Sequence, residues 1–260
     1  MTEQLKAPDA PEESFISHLV ELRQRLVRAA IAIIVITLAL TPFMQQIFDL
    51  LSAPLMTALP AGSKLLATGV ISPFVVPLKV VLMVGFVIAL PYVLYQAWAF
   101  VAPGLYQHEK RFALPILASS FTLFLLGMAF CYFFVFGVVF KAVTGFAPAS
   151  VQVAPDIDAY FSFVLGMFLA FGMTFEVPIV VVVLVRFGIV TVAKLREIRA
   201  YMIVGAFVVA AIVTPPDVLS QLMLAVPLVL LYELGVFVAS FVSKRESPEE
   251  ATEEPGSGTA

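Results

Sequence analysis

Long apolar runs separated by short polar breaks set the pattern of this chain. The sharpest break is FVAPGLYQHEKRF, Phe100 to Phe112; the run before it ends in YVLYQAWAF and the run after it begins ALPILASSFTLFLL. Runs of this kind, without the period-two alternation of a barrel strand, predict helices that cross a bilayer, since each crossing takes roughly 20 apolar residues for about 30 Å of hydrocarbon. At the start, SFISHLVELRQRLVRA puts Phe15, Leu19, Leu22 and Leu26 at helical spacing, with His18, Glu21, Arg25 and Arg28 on a roughly opposite face. That pattern predicts an amphipathic interfacial helix running into a first span from Ala29 to Phe43. The apolar pieces between Gln45 and Ser72 are too short to cross and predict a cap of short helices. Ser72 followed by Pro73 marks a helix start, giving a second span from Phe74 to Phe100 in which Lys79 snorkels outward.

A third span covers Phe112 to Phe140, and a fourth Tyr160 to Val185, with Asp156 or Asp158 placed to cap it. Arg186 to Arg199 is a basic connector. The last two apolar runs, Tyr201 to Val213 and Leu219 to Tyr232, hold only 13 and 14 residues and are joined by TPPD. At 1.5 Å per residue they reach about 20 Å, which predicts a final hairpin too short for a full bilayer. The outer segments, residues 1–13 and 244–260, are polar and rich in proline or acid, and predict a disordered leader and tail around a membrane domain over 14–243.

Composition agrees with a membrane protein: 61% of residues are hydrophobic and 13% charged, too little polar surface to cover a soluble globule. The fold class expected is an all-α integral membrane bundle of six transmembrane helices, concave, with its short hairpin last. Six spans place both termini on one side. Of the lysines and arginines outside the spans, twelve fall on that side and only Lys64 and Lys141 opposite, so the positive-inside rule makes both termini cytoplasmic. The lone Cys131 lies in an apolar run and offers neither a disulfide nor a thiolate metal site. Both histidines flank spans rather than occupy them. No GxxxxGK[ST] phosphate loop or HExxH spacing occurs, so no enzyme, cofactor, metal or nucleic-acid partner is expected.

Glu176, ten residues before Arg186, falls near mid-bilayer. An acid there must be protonated or meet a polar group, and Pro178 favours a kink at the same level. Thr214, Asp217, Gln221 and Glu233 line the last hairpin, where Asp217 also suits a helix N-cap. A proton-coupled secondary transporter would use such an acid too, although no internal repeat with paired broken helices is visible; a purely structural membrane scaffold would leave the acids at the termini side unexplained.

SFISHLVELRQRL, ISPFVVPLKVV, AWAFVAPGLYQHEKR, FGMTFEVPIVVVVL, AAIVTPPDVLSQ and LYELGVF together resemble the TatC family, the polytopic receptor of the twin-arginine protein translocase, over most of Ser14 to Phe237. The resemblance implies a multi-pass protein of the cytoplasmic membrane that binds twin-arginine signal peptides of folded precursors. It also implies work with the single-span TatA and TatB subunits, transport driven by the proton-motive force, and assembly into multimers. It assigns Glu21, Arg23, Phe100, Tyr106 and Glu109 to signal-peptide binding, and Glu176, Thr214, Gln221 and, more loosely, Asp217 to the single-span partners.

Overall fold

The computed structural model describes residues 11–58, 65–101, 110–146, 156–214 and 217–246, which form helices joined by short turns. Helices are the expected solution, because hydrocarbon leaves no water to satisfy a peptide group and a helix satisfies its own. In order they are α1 (Pro11–Leu40), α2 (Met44–Ala58), α3 (Ser72–Val101), α4 (Lys110–Phe130), α5 (Phe136–Phe146), α6 (Ile157–Arg186), α7 (Val192–Glu197), α8 (Arg199–Val213) and α9 (Val218–Glu246). A π-turn over Cys131–Val135 joins α4 to α5 as one long rod. Among the described residues five helices are long and apolar enough to cross a membrane, and α8 is a shorter apolar one. The chain is thus an all-helical, multi-pass membrane protein. Little of the expected leader and tail lies in the described residues, but α1 already begins at Pro11 and α9 continues to Glu246.

Two compact units are distinguished: Met1–Leu51 with Phe74–Phe121, and Ser52–Pro73 with Thr122–Ala260. In the first, the predicted amphipathic segment and the first span form one continuous helix, α1. Its polarity is inverted relative to a soluble protein: Leu19, Leu22 and Leu26 are exposed, whereas Glu21, Arg25, Ala29, Ile33 and Thr37, four residues apart along one stripe, are the half-buried or buried positions. In lipid the apolar face belongs outside, and the polar and small residues turn toward protein. Near the end of that stripe α1 meets α3 closely. A Cβ added at Gly85 would run into the Thr37 hydroxyl and lie 3.2 Å from its backbone, while Thr37 itself donates to the Ile33 carbonyl at 2.8 Å. Trp98 on α3 donates its indole N–H to Ser120 on α4 at 2.9 Å, a bond buried in this unit.

In the second unit α6 is the central rod. Toward its N-terminal half α4 lies against it, the backbone oxygen of Phe171 occupying the place where a Gly127 side chain would begin and the Phe124 ring lying over Gly172. Further along α6, α9 packs against it, Gly235 lying over Pro178 and Val181. Contacts this close need glycine, because van der Waals packing rather than water exclusion holds helices together in lipid. Rings from Phe130, Phe168, Phe171 and Phe175 fill the space beside the π-turn.

The final hairpin corrects the sequence expectation in one respect. α8 is short, 15 residues or about 22 Å, but the last helix does not end near Tyr232: α9 runs 29 residues from Val218. Glu233 interrupts the apolar run without ending either the helix or its apolar character, since LGVFVASFV follows it and Val218–Phe241 is long and apolar enough to cross a membrane. α8 is short for a local reason. After Gly188, whose φ of 67° only glycine adopts freely, the connector folds back, and Leu195 of α7 packs with Val181, Tyr232, Val236 and Ala239. The Tyr232 hydroxyl donates to the Leu195 carbonyl at 2.8 Å.

Asp156 caps α6 as anticipated, accepting from the amides of Asp158 and Ala159 at 2.9 Å each. It also binds the Thr68 hydroxyl and amide, while the Ile157 amide donates to Leu66 at 2.8 Å. The capping acid thereby ties the segment before α3 to the start of α6. The Thr68 hydroxyl first, then the amides around it, hold the carboxyl down from 3.8 to about 2. A group whose folded value lies below its unfolded one stabilises above the unfolded value and loses that contribution as pH falls toward the folded one, here between 3.8 and about 2. Thr68→Val is expected to move the Asp156 midpoint upward toward 3.8 in a carboxyl NMR titration. An unmoved midpoint would remove the Thr68 tie from the account.

Candidate functional site

On α1, Glu21 sits on the inward stripe one turn before Arg25. The Arg25 guanidinium reaches it through Nε at 3.0 Å and through Nη2, both on the single oxygen Oε1. The pair is not sealed off, with side chains 40% exposed for Glu21 and 22% for Arg25. Arg23 points away from it and is exposed. One turn earlier on α1, the His18 ring stacks on Phe100 near the end of α3, centroids 4.3 Å apart and planes 21° apart. The structure thus brings Glu21, Arg25, His18 and Phe100 to neighbouring positions at one end of this unit. Tyr106 and Glu109 lie outside the described residues, as does His108.

In the second unit Glu176 is buried on α6 with 6% of its surface exposed, alongside buried Thr174 and Pro178. It is enclosed by protein rather than turned to lipid, which is how a mid-span acid is tolerated. Thr214, Asp217 and Gln221 each bond within the hairpin itself. Thr214 ends α8 and donates its hydroxyl to the Ala210 carbonyl at 2.8 Å. Asp217 caps α9, accepting from the Ser220 amide at 2.6 Å. Gln221 reaches across from α9 to the Phe207 carbonyl of α8 at 3.2 Å. Thr214 is buried, whereas Gln221 is half-buried and its bond is the longest of the three, so Gln221 is the residue best able to exchange its present partner for another.

Residues 17–227 match the family model described as Sec-independent protein translocase protein (TatC). The chain belongs to the TatC family. A relative named Sec-independent protein translocase protein TatC from Azotobacter chroococcum is 50% identical over 242 residues, spanning 93% of this chain and 95% of its own. The Escherichia coli K12 protein of the same name is 49% identical over 239 residues, spanning 92% and 93%. A crystal structure of the twin-arginine translocase receptor TatC superposes with a TM-score of 0.77 at 40% identity, over 87% of this chain and 99% of that one.

Two pairings within this TatC chain were not anticipated from sequence. The Glu21–Arg25 pair was visible in principle, since acid and base four residues apart face each other on a helix. The other, Arg199 with Glu233, was not: Nη2 lies 2.6 Å from Oε2 across 34 residues, from the first turn of α8 to the middle of α9. A cation at a helix N-terminus is opposed by the helix dipole, so Glu233 offsets an unfavourable placement as well as pairing a charge. Both side chains are near half exposed, at 48% and 40%, so a coupling energy of about 0.5–1 kcal/mol is expected from a double-mutant cycle on unfolding. The swapped double variant, Arg199→Glu with Glu233→Arg, should recover the stability lost by either single reversal, since it turns the dipole term favourable; a double variant no more stable than the worse single would contradict the pairing.

Proposed function

We propose that this protein is the receptor subunit of the twin-arginine translocase, seated in the cytoplasmic membrane with both termini in the cytoplasm. It recognises the arginine pair in the signal peptides of folded precursors and recruits the single-span TatA and TatB subunits for transport driven by the proton-motive force. The observation that carries the recognition step is Glu21: a carboxylate on the inward stripe of α1 that is already engaged by a guanidinium yet remains open to solvent. Carboxylates receive guanidinium forks bidentately, so two acids answer two arginines. Glu21 is one, and Glu109 is assigned as the other, with Arg23, Phe100 and Tyr106 around them. The excess of basic residues on the termini side supports the orientation. Copies of the chain assemble together with TatA and TatB.

For the partner side, Glu176 on α6 is assigned to contact a single-span helix together with Gln221, while Thr214 and Asp217 shape the hairpin that presents Gln221. Gln221→Ala is accordingly placed ahead of Thr214→Val in its effect on docking.

Glu21→Ala and Glu109→Ala are each expected to weaken twin-arginine peptide binding. Loss of one partner of a desolvated charge pair costs about 2–5 kcal/mol, and the exposure of Glu21 places it at the low end, about 2 kcal/mol or about thirtyfold in Kd. Isothermal titration of the purified protein with a synthetic signal peptide measures this; a double Glu21→Ala/Glu109→Ala variant that binds normally would end the proposal. At position 176 a hydrogen-bond role makes Glu176→Gln milder than Glu176→Leu in copurification of TatA and TatB, since the amide keeps acceptor and donor. Equal loss in both would point instead to a proton carried by Glu176.

A further inference from the structure

Resting on the reading of Glu21 as an arginine receptor, we infer that Arg25 is a resident competitor for the incoming arginine. Both nitrogens of its fork fall on one oxygen of Glu21, Nε at 3.0 Å and Nη2 beside it. A bidentate guanidinium takes both carboxylate oxygens in one plane, so full capture of a signal arginine at Glu21 requires Arg25 to withdraw from Oε1. The withdrawal is easy. The two residues sit four apart on the same helix, the geometry of a surface ion pair, and neither is sealed from solvent.

The arrangement has two consequences. With no precursor present, Glu21 keeps a counter-charge and does not stand open to stray cations. Once a precursor is bound, Arg25 stays tethered a single turn away and reclaims the carboxylate as soon as the signal arginine loosens, which speeds release. Arg25 therefore weakens binding in exchange for turnover, opposite in sign to a residue that merely supports the site. Arg28, one turn further along and exposed, carries the same charge without contact to Glu21 and separates competition from simple repulsion.

The test uses the full chain in detergent or nanodiscs with a synthetic twin-arginine signal peptide, and reads Kd and dissociation rate for the parent, Arg25→Gln, Arg28→Gln, Glu21→Ala and the double variant Glu21→Ala/Arg25→Gln. An exposed ion pair of this kind is worth about a two- to fivefold change in an equilibrium constant, so Arg25→Gln should bind the peptide about two- to fivefold tighter and release it more slowly. Arg28→Gln should change binding less, and the gain from Arg25→Gln should vanish in the Glu21→Ala background. Binding that is unchanged or weaker in Arg25→Gln, or a gain equal to that of Arg28→Gln, would overturn the competitor role. If Glu21→Ala itself leaves binding intact, the receptor reading of Glu21 fails first, and the two failures are told apart.

Discussion

A charge or an open peptide group inside a bilayer has to be met by another group of the chain, and this requirement governs every level of the structure. It makes the described residues helical. It turns α1 inside out, with leucines outward and Glu21, Arg25 and Thr37 along the protein-facing stripe. It buries Glu176, and it brings Arg199 to Glu233.

The same requirement links the fold to its use. A carboxylate at the edge of an apolar body is costly without a partner. Glu21 has one on its own helix in Arg25 and still remains partly exposed. In the last hairpin the Arg199–Glu233 pair joins the first turn of α8 to the middle of α9. α9 continues past that level and is long and apolar enough to cross a membrane, so only α8 is short. At about 22 Å, α8 falls below the usual hydrocarbon thickness of about 30 Å, and the lipid or partner helix beside it must adapt.

Much of this was legible in the chain. The spans, the Asp156 cap, the start of α3 at Ser72 and the mid-span burden of Glu176 follow from run length, capping chemistry and the cost of a buried acid, all of which are local. The end of α9 was misplaced, because Glu233 reads as a boundary when its partner 34 residues away is unknown. For the same reason the fold-back of Leu195 onto Tyr232, the stack of His18 on Phe100 and the indole bond from Trp98 to Ser120 left no periodic signal. Each joins residues whose separation in sequence carries no information about their separation in space. Helical spacing already put His18, Glu21 and Arg25 on one face of α1, but only geometry showed the contacts, Arg25 on Glu21 and His18 on Phe100.

The central claim, that the acids near the start of α1 and before α4 receive the arginine pair, is tested most directly by site-specific crosslinking. A photoreactive residue placed in turn at Ser17, Arg23, Gln24 and Phe100, with outward positions Ile34 and Leu38 as controls, would be exposed to a signal peptide carrying its two arginines or two glutamines. The account predicts adducts at the first four positions with the arginine peptide only, and none at Ile34 or Leu38. Equal crosslinking by both peptides, or adducts concentrated at Ile34 and Leu38, would contradict it.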